Sequence, residues 1–197
     1  MVVPARLTEL FAARHSCESP EWYTPAPIVE AARRVLGGID LDPASSDVAN
    51  QIVRAARYFT ADDDGLRQAW TARSVFVNPP GGLVPQFWDA LLRGWCQQTF
   101  ACAIWIGYSL EQLQTLQSRA CTPLAFPFCV PQRRIAFVEN EGRRVARIEK
   151  QRAAGAKPKA ASSPSHGNYI CYLGSEPARF VQAFRPLGCC VVPGRQS

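Results

Sequence analysis

The chain has 197 residues, 47% hydrophobic and 19% charged, which suits one domain with a buried core and excludes a disordered or low-complexity polypeptide. Its longest uncharged apolar stretch, Thr99 to Leu110, is far shorter than the roughly 20 residues of a membrane helix, and no basic start followed by an apolar run marks a secretion signal. The net charge of +6 lies entirely in Pro131 to Lys159, where nine basic side chains face three acidic ones, so a basic segment sits on a neutral body.

In chain order, Thr24-Pro25 followed by Ile28, Val29, Ala32, Val35 and Leu36 has helical spacing, with Thr24 as the expected N-cap and Gly37-Gly38 as the stop. Ile39 to Asp42 alternates apolar with acidic residues before Pro43, the pattern of a short strand ending in an acidic turn. Gln51 to Thr60 holds room for a second short strand. Ser74 to Val77 reads as a buried strand running into Asn78-Pro79-Pro80-Gly81-Gly82. A helix is expected over Phe87 to Cys96, a strand over Phe100 to Ile106, and a helix over Ser109 to Ser118 with Leu110, Leu113 and Leu116 on one side. Further on come strands at Arg134 to Val138, Tyr169 to Leu173 and Cys189 to Val192, with a helix over Pro177 to Phe184. Residues 139–167, basic and rich in Ala, Ser, Gly and Pro, read as a flexible excursion from a single 1–197 domain.

Strands alternating with helical crossovers predict a mostly parallel α/β sheet with helices on both faces and a more β-rich C-terminal end. Ligands of such sheets bind outside the carboxyl ends of the strands, where Asp42 and Asn78 both fall. The eight cysteines form no CxxC pair and only His15 and His166 accompany them, so a catalytic metal or a histidine triad is not expected. Because several lie in apolar runs, they read as mostly buried thiols of a reducing, cytoplasmic compartment. The basic segment reads either as an anion-binding element or as a solvated loop, and charge alone does not choose between them.

Asn78-Pro79-Pro80-Gly81 is where chemistry enters. Two prolines fix φ and remove competing backbone donors, leaving a carboxamide on a rigid turn at the end of a buried strand. Methylation of an exocyclic amine, such as that of adenine, has a use for this group. The amine lone pair is delocalised into the ring, and an Asn oxygen together with a main-chain carbonyl can accept the two amine hydrogens and free it. Positioning and electrostatics then do the catalysis without a metal or strong base.

Glu21-Trp22-Tyr23-Thr24-Pro25, Asp40-Leu41-Asp42-Pro43-Ala44-Ser45, Asp64-Gly65-Leu66 and Val77-Asn78-Pro79-Pro80-Gly81-Gly82, in this order, resemble the phage-type DNA N6-adenine methyltransferases. The likeness runs from about Glu21 to Val192 and takes in Arg133 to Phe137 and Ser163 to Ile170. It implies a Rossmann-like class I methyltransferase fold, S-adenosylmethionine as cofactor, double-stranded DNA as partner, no metal, no membrane, and a phage- or prophage-encoded enzyme of a bacterial cytoplasm. Carried over by position, Trp22, Tyr23 and Thr24 line the methionine end of the cofactor. Asp42, with Pro43 and Ala44, faces its ammonium group, and Asp40 shares that strand face. Asp64, ahead of Gly65 and Leu66, accepts from the cofactor's adenine amine. Asn78, Pro79, Pro80 and Gly81 hold the target amine of a flipped base. Arg133, Arg134, Arg143 and Arg144 are the expected phosphate contacts.

Three features depart from the pattern. Ser45-Ser46-Asp47 stands where a glycine-rich loop is common, no acid between Ser46 and Thr60 clearly marks a ribose site beyond Asp47 or Asn50, and Gly81 replaces a base-stacking aromatic. Trp88 or Phe126 could supply that ring or simply pack in the core. The same chemistry could instead serve RNA or a protein amide, and a fold retained without turnover would make a nucleic-acid-binding protein.

Overall fold

The structure is a computed structural model that describes residues 22–107, 109–139, 141–155, 157 and 167–194. Cys17, His15, Glu21, His166 and the 158–166 part of the basic segment lie outside the described residues.

The chain folds as β1 (Trp22–Tyr23), α1 (Ala26–Leu36), β2 (Leu41–Asp42), α2 (Asp47–Val53), β3 (Arg57–Tyr58), β4 (Ser74–Val77), α3 (Val84–Cys96), β5 (Cys102–Gly107), α4 (Glu111–Leu116), β6 (Phe128–Pro131), β7 (Val138–Glu139), α5 (Glu141–Ala153), β8 (Tyr169–Leu173), α6 (Pro177–Phe184) and β9 (Gly188–Val191). Seven strands form one sheet in the order β3-β2-β4-β5-β8-β6-β9, and β1 pairs β7 in a separate two-stranded ladder. The pairs β3-β2, β2-β4 and β4-β5 are parallel, whereas β5-β8, β8-β6 and β6-β9 are antiparallel. The expected mostly parallel sheet is therefore corrected to a mixed one, parallel in its first half and alternating in its second. β8 runs against both of its neighbours, β5 and β6, and β9, in the same sense as β8, runs against β6; no local pattern in Phe128 to Pro131 announces these pairings.

Both faces of the sheet are covered, as the continuous apolar runs of β4 and β5 require. Phe76, Ile104, Ile106, Ile170 and Tyr172 face one way, into a cluster with α1 and α6. Val75, Val77, Ala103, Trp105, Cys171 and Leu173 face the other, into a cluster with α3 and Leu116 of α4. The period-2 alternation of strand side chains splits each strand between the two cores.

Several sequence expectations shift. α1 begins at Ala26 with Pro25, not Thr24, as N-cap, and no side chain caps it. Residues 134–137 are not a strand; the pairing in that region belongs to Phe128–Pro131 and Val138–Glu139. Residues 141–153, expected in a flexible excursion, form helix α5. On α4 Gln112 and Leu116 are buried and Leu113 packs against the same core, while Leu110, just before the helix, is 40% exposed, so the expected leucine stripe holds for two of its three members. Among the described cysteines only Cys129 and Cys171 are buried, fewer than expected; all seven are free thiols.

Candidate active site

β2, β4 and β5 are parallel neighbours, so their carboxyl ends share one edge. β6 is antiparallel to β8, which is antiparallel to β5, so β6 runs in the same sense and its exit lies at that edge as well. Gly107 at the end of β5 pairs with Tyr169 at the start of β8, so the basic segment between β6 and β8 both leaves and re-enters the sheet there. The topology thus gathers Asp42–Ser45, Asn78–Gly82, the turn after Gly107 and the loop carrying Arg133 and Arg134 at one edge.

Asn78 is half-buried, with Pro79 buried behind it and Gly81 exposed. Its Nδ2 donates to the main-chain oxygen of Trp22 at 2.9 Å. That bond fixes which way the carboxamide lies: the donor end is taken by β1, and Oδ1 remains as an acceptor. Beyond Pro80 the chain makes a single 3₁₀ turn, Gly81–Leu83, and a Cβ on Gly82 would meet nothing within 4 Å. The turn has open space beside it.

Asp42 is 2% exposed. Ala44 N donates to its Oδ1 at 3.1 Å, and among the described residues no cation pairs with it. Burial pushes its carboxyl up to about 7, against smaller lowering contributions from the Ala44 amide and the Ser45 hydroxyl. Two buried hydroxyls, Thr24 Oγ1 and Ser45 Oγ, have no hydrogen-bond partner of normal geometry. A buried carboxylate without a counter-ion, with the Ser45 hydroxyl beside it and the Thr24 hydroxyl unpartnered among the described residues, fits a ligand that brings a cation and further polar groups. Ser45 is a site residue that sequence reading missed, because a serine after an acidic turn carries no signal of its own.

The loop from Phe59 to Leu66 folds onto this turn. Ser45 N donates to Phe59 O at 2.9 Å and Phe59 N to Asp42 O at 3.0 Å, while Trp70 Nε1 anchors Gly65 O at 2.8 Å. A Cβ on Gly65 would lie 1.9 Å from the Pro43 carbonyl oxygen, so only glycine permits this approach. Gly65→Ala is therefore expected to displace the loop and lower stability by about 1–3 kcal/mol, read as a fall in the urea midpoint. Asp64 itself adopts φ 51 and forms an ion pair with Arg67 at 3.2 Å, with its side chain 44% exposed. Its neighbour Asp63 is the structural acid, accepting from both Thr60 N and Thr60 Oγ1 at 2.8 Å, which holds its carboxyl below the usual range.

Other predicted residues acquire different surroundings. Asp40 lies at the opposite end of β2, where its Oδ2 accepts from Arg73 N at 3.1 Å and Ser74 N at 3.2 Å; it pins the start of β4 and stands away from Asn78. Ser46 caps α2, accepting from Ala49 N at 3.2 Å. Asn50 closes the turn after α2 through Ala55, and Asp47 accepts from the Tyr58 hydroxyl at 2.8 Å. Trp88 is fully buried, edge-on to Trp105 at 5.1 Å, so it is a core ring; Phe126 packs against Trp88 and Trp95. Trp22 is half-buried and Tyr23 buried, both on β1. Pro43 is buried, Ala44 and Leu66 half-buried. Arg133 and Arg134 are exposed on the loop after β6, and Arg143 and Arg144 belong to α5, which follows β7 directly.

Comparison with known proteins gives one match that decides the family: residues 14–154 match the DNA N-6-adenine-methyltransferase (Dam) family. The chain belongs to the Dam family. Neither the search of characterised proteins nor that of solved structures gives a match. As a Dam-family member, the protein is a methyltransferase that acts on the N6 amine of adenine in DNA, and the match takes in Asn78–Gly81 as well as Arg133, Arg134 and α5. Among the described residues no group of three or more His, Cys, Asp or Glu could hold a metal, and no helix is long and apolar enough to cross a membrane.

Proposed function

We propose that the carboxyl edge built from Trp22–Thr24, Asp42–Ser45, Phe59–Leu66 and Asn78–Gly81 is where this Dam-family enzyme brings S-adenosylmethionine and an adenine of double-stranded DNA together. The observation that carries this reading is the orientation of Asn78, whose amide nitrogen is held by the Trp22 carbonyl so that its oxygen is left to accept. S-adenosylmethionine, when bound, supplies the electrophilic sulfonium methyl.

The residues divide the work. Asp42 faces the cofactor's ammonium group, and Thr24 and Ser45 take its remaining polar atoms at the methionine end. Pro43 and Ala44 shape that turn, and Trp22 and Tyr23 close it from β1. Leu66 and the Asp64 turn bound the opposite side, with Asp64 accepting from the cofactor's adenine amine once it turns from Arg67. Asn78 Oδ1 and the Pro79 carbonyl accept the two hydrogens of the target amine, which draws its nitrogen toward sp³ character and aims the lone pair. Pro80 keeps the turn stiff and Gly81 leaves room for the base. Asp40 has no part in binding here, since its carboxylate is engaged at the far end of β2.

A strand order with four parallel members, helices on both faces and reversed strands confined to one side supports a Rossmann-like methyltransferase fold. Adenine stacked in a duplex cannot reach the edge, so the base must be extruded at a cost of about a few kcal/mol. Arg133 and Arg134, with Arg143 and Arg144 on α5, offset that cost by contacting phosphates. Replacing Arg133 and Arg134 together with alanine is expected to reduce the slope of log K against log salt by about 2, measured by fluorescence anisotropy with duplex DNA; an unchanged slope would remove the pair from the interface. The substrate reading is tested by tritiated methyl transfer to unmodified duplex DNA, RNA and protein side by side. Label in DNA, recovered as N6-methyladenine, is the expected result, and label only in RNA or protein would overturn it.

A further inference from the structure

Gln112 is 9% exposed, and among the described residues neither its Nε2 nor its Oε1 has a hydrogen-bond partner. A buried primary amide with both ends unpaired costs several kcal/mol relative to water, and replacing it by an apolar residue of similar size would ordinarily stabilise the fold. Its place in the structure is specific. It follows the carboxyl end of β5, the strand beside β4 and Asn78, and lies one helical turn before Leu116, which is buried in the core that contains Val77, Leu83 and Trp105. Gln112 thus sits on the inward side of α4, at the end of the helix nearest the edge that carries Asn78.

We infer that Gln112 reads the ring edge of the extruded adenine and sets the preference for adenine over cytosine. The inference rests on the DNA-adenine reading above. With the amine hydrogens taken by Asn78 Oδ1 and the Pro79 carbonyl, the next ring atoms adenine offers are the N1 lone pair and the C2 hydrogen. A carboxamide matches them, Nε2–H donating to N1 and Oε1 lying against C2–H. Cytosine also carries an amine beside a ring acceptor, but its next atom is a carbonyl oxygen, which would oppose Oε1. This carboxamide therefore favours adenine over cytosine, because the cytosine mismatch leaves buried polar groups unpaired.

The experiment compares wild type with Gln112→Leu on duplexes carrying adenine, 1-deazaadenine or cytosine at one target position, in the sequence context found by locating the adenines that the enzyme methylates in unmodified DNA. Gln112→Leu is expected to keep or raise the melting temperature and to retain cofactor affinity, while kcat/KM for adenine falls about 10- to 100-fold. Loss of N1 should cost the wild type about tenfold or more and the variant nothing further, and the adenine-to-cytosine ratio should narrow in the variant. Where Gln112→Leu does not fold, Gln112→Glu, which keeps the shape and replaces the donor by an acceptor, should show the same loss of the N1 effect. Wild-type kcat/KM in the variant, or an equal 1-deazaadenine penalty in both proteins, would overturn the inference while leaving the functional reading intact. Absence of adenine methylation by the wild type would overturn both.

Discussion

Asn78→Ala is expected to lower kcat by about 10²- to 10³-fold, the usual loss on removing one preorganised polar contact to a reacting group, while leaving cofactor affinity nearly unchanged. The separation follows from geometry. Asn78 donates to Trp22 and presents Oδ1 at the end of β4, whereas the acid and hydroxyls suited to the cofactor's charged end belong to the β2 exit and to Thr24. Single-turnover methyl transfer paired with calorimetric titration of the cofactor separates the two effects. Asn78→Asp gives a sharper version. It keeps an acceptor for the amine but replaces the donor that meets the Trp22 carbonyl, so the side chain loses its anchor and kcat should remain low. Full turnover in Asn78→Ala would refute the role assigned to this amide.

Asp42→Asn should act in the opposite way, weakening cofactor binding about 10- to 100-fold with a smaller effect on turnover at saturation, because a charge-assisted contact to an ammonium group is lost. The pH dependence has a definite sign. In the ligand-free fold burial pushes the Asp42 carboxyl up from the ordinary carboxylate range to about 7. Binding a cation requires the carboxylate, so affinity should fall as the pH drops below about 7, and this dependence should vanish in Asp42→Asn. Stability of the ligand-free protein should run the other way. The raised folded value makes the Asp42 contribution complete below about pH 4 and lost as the pH rises through about 7, on the order of 4 kcal/mol for the whole change. Chemical denaturation at about pH 4 and pH 8, wild type against Asp42→Asn, reads it directly. A variant with the same pH dependence as the wild type would show that another group is responsible.

The parts of this protein legible in its sequence are those fixed by local chemistry. Ser74–Val77 and Tyr169–Leu173 are buried strands of contiguous apolar residues, and Pro177–Phe184 carries a strong helical period with proline at its start; all three occur with the expected bounds. The amide of Asn78 was locatable because it ends such a strand, and the carboxylate of Asp42 because it closes an alternating apolar-acidic run before Pro43. Long-range pairing was not legible. β6 is recognisable only through its partners β8 and β9, and β1 and β7 are two-residue strands that exist because they pair each other across more than a hundred residues. The choice between Asp40 and Asp42 likewise depended on tertiary partners, since one faces Arg73 and Ser74 at the start of β4 and the other is buried at the exit of β2. Gln112 escaped notice for the same reason. In sequence it is a polar residue between leucines, and only the packing of α4 buries it.

The most direct test is a crystal structure with a non-reactive cofactor analogue and a duplex bearing the target adenine. The account predicts the base extruded at the carboxyl edge of β4, its N6 about 2.7–3.2 Å from Asn78 Oδ1, with the analogue's ammonium group against Asp42. A purine lodged away from Asn78, or an analogue bound away from Asp42, would contradict it.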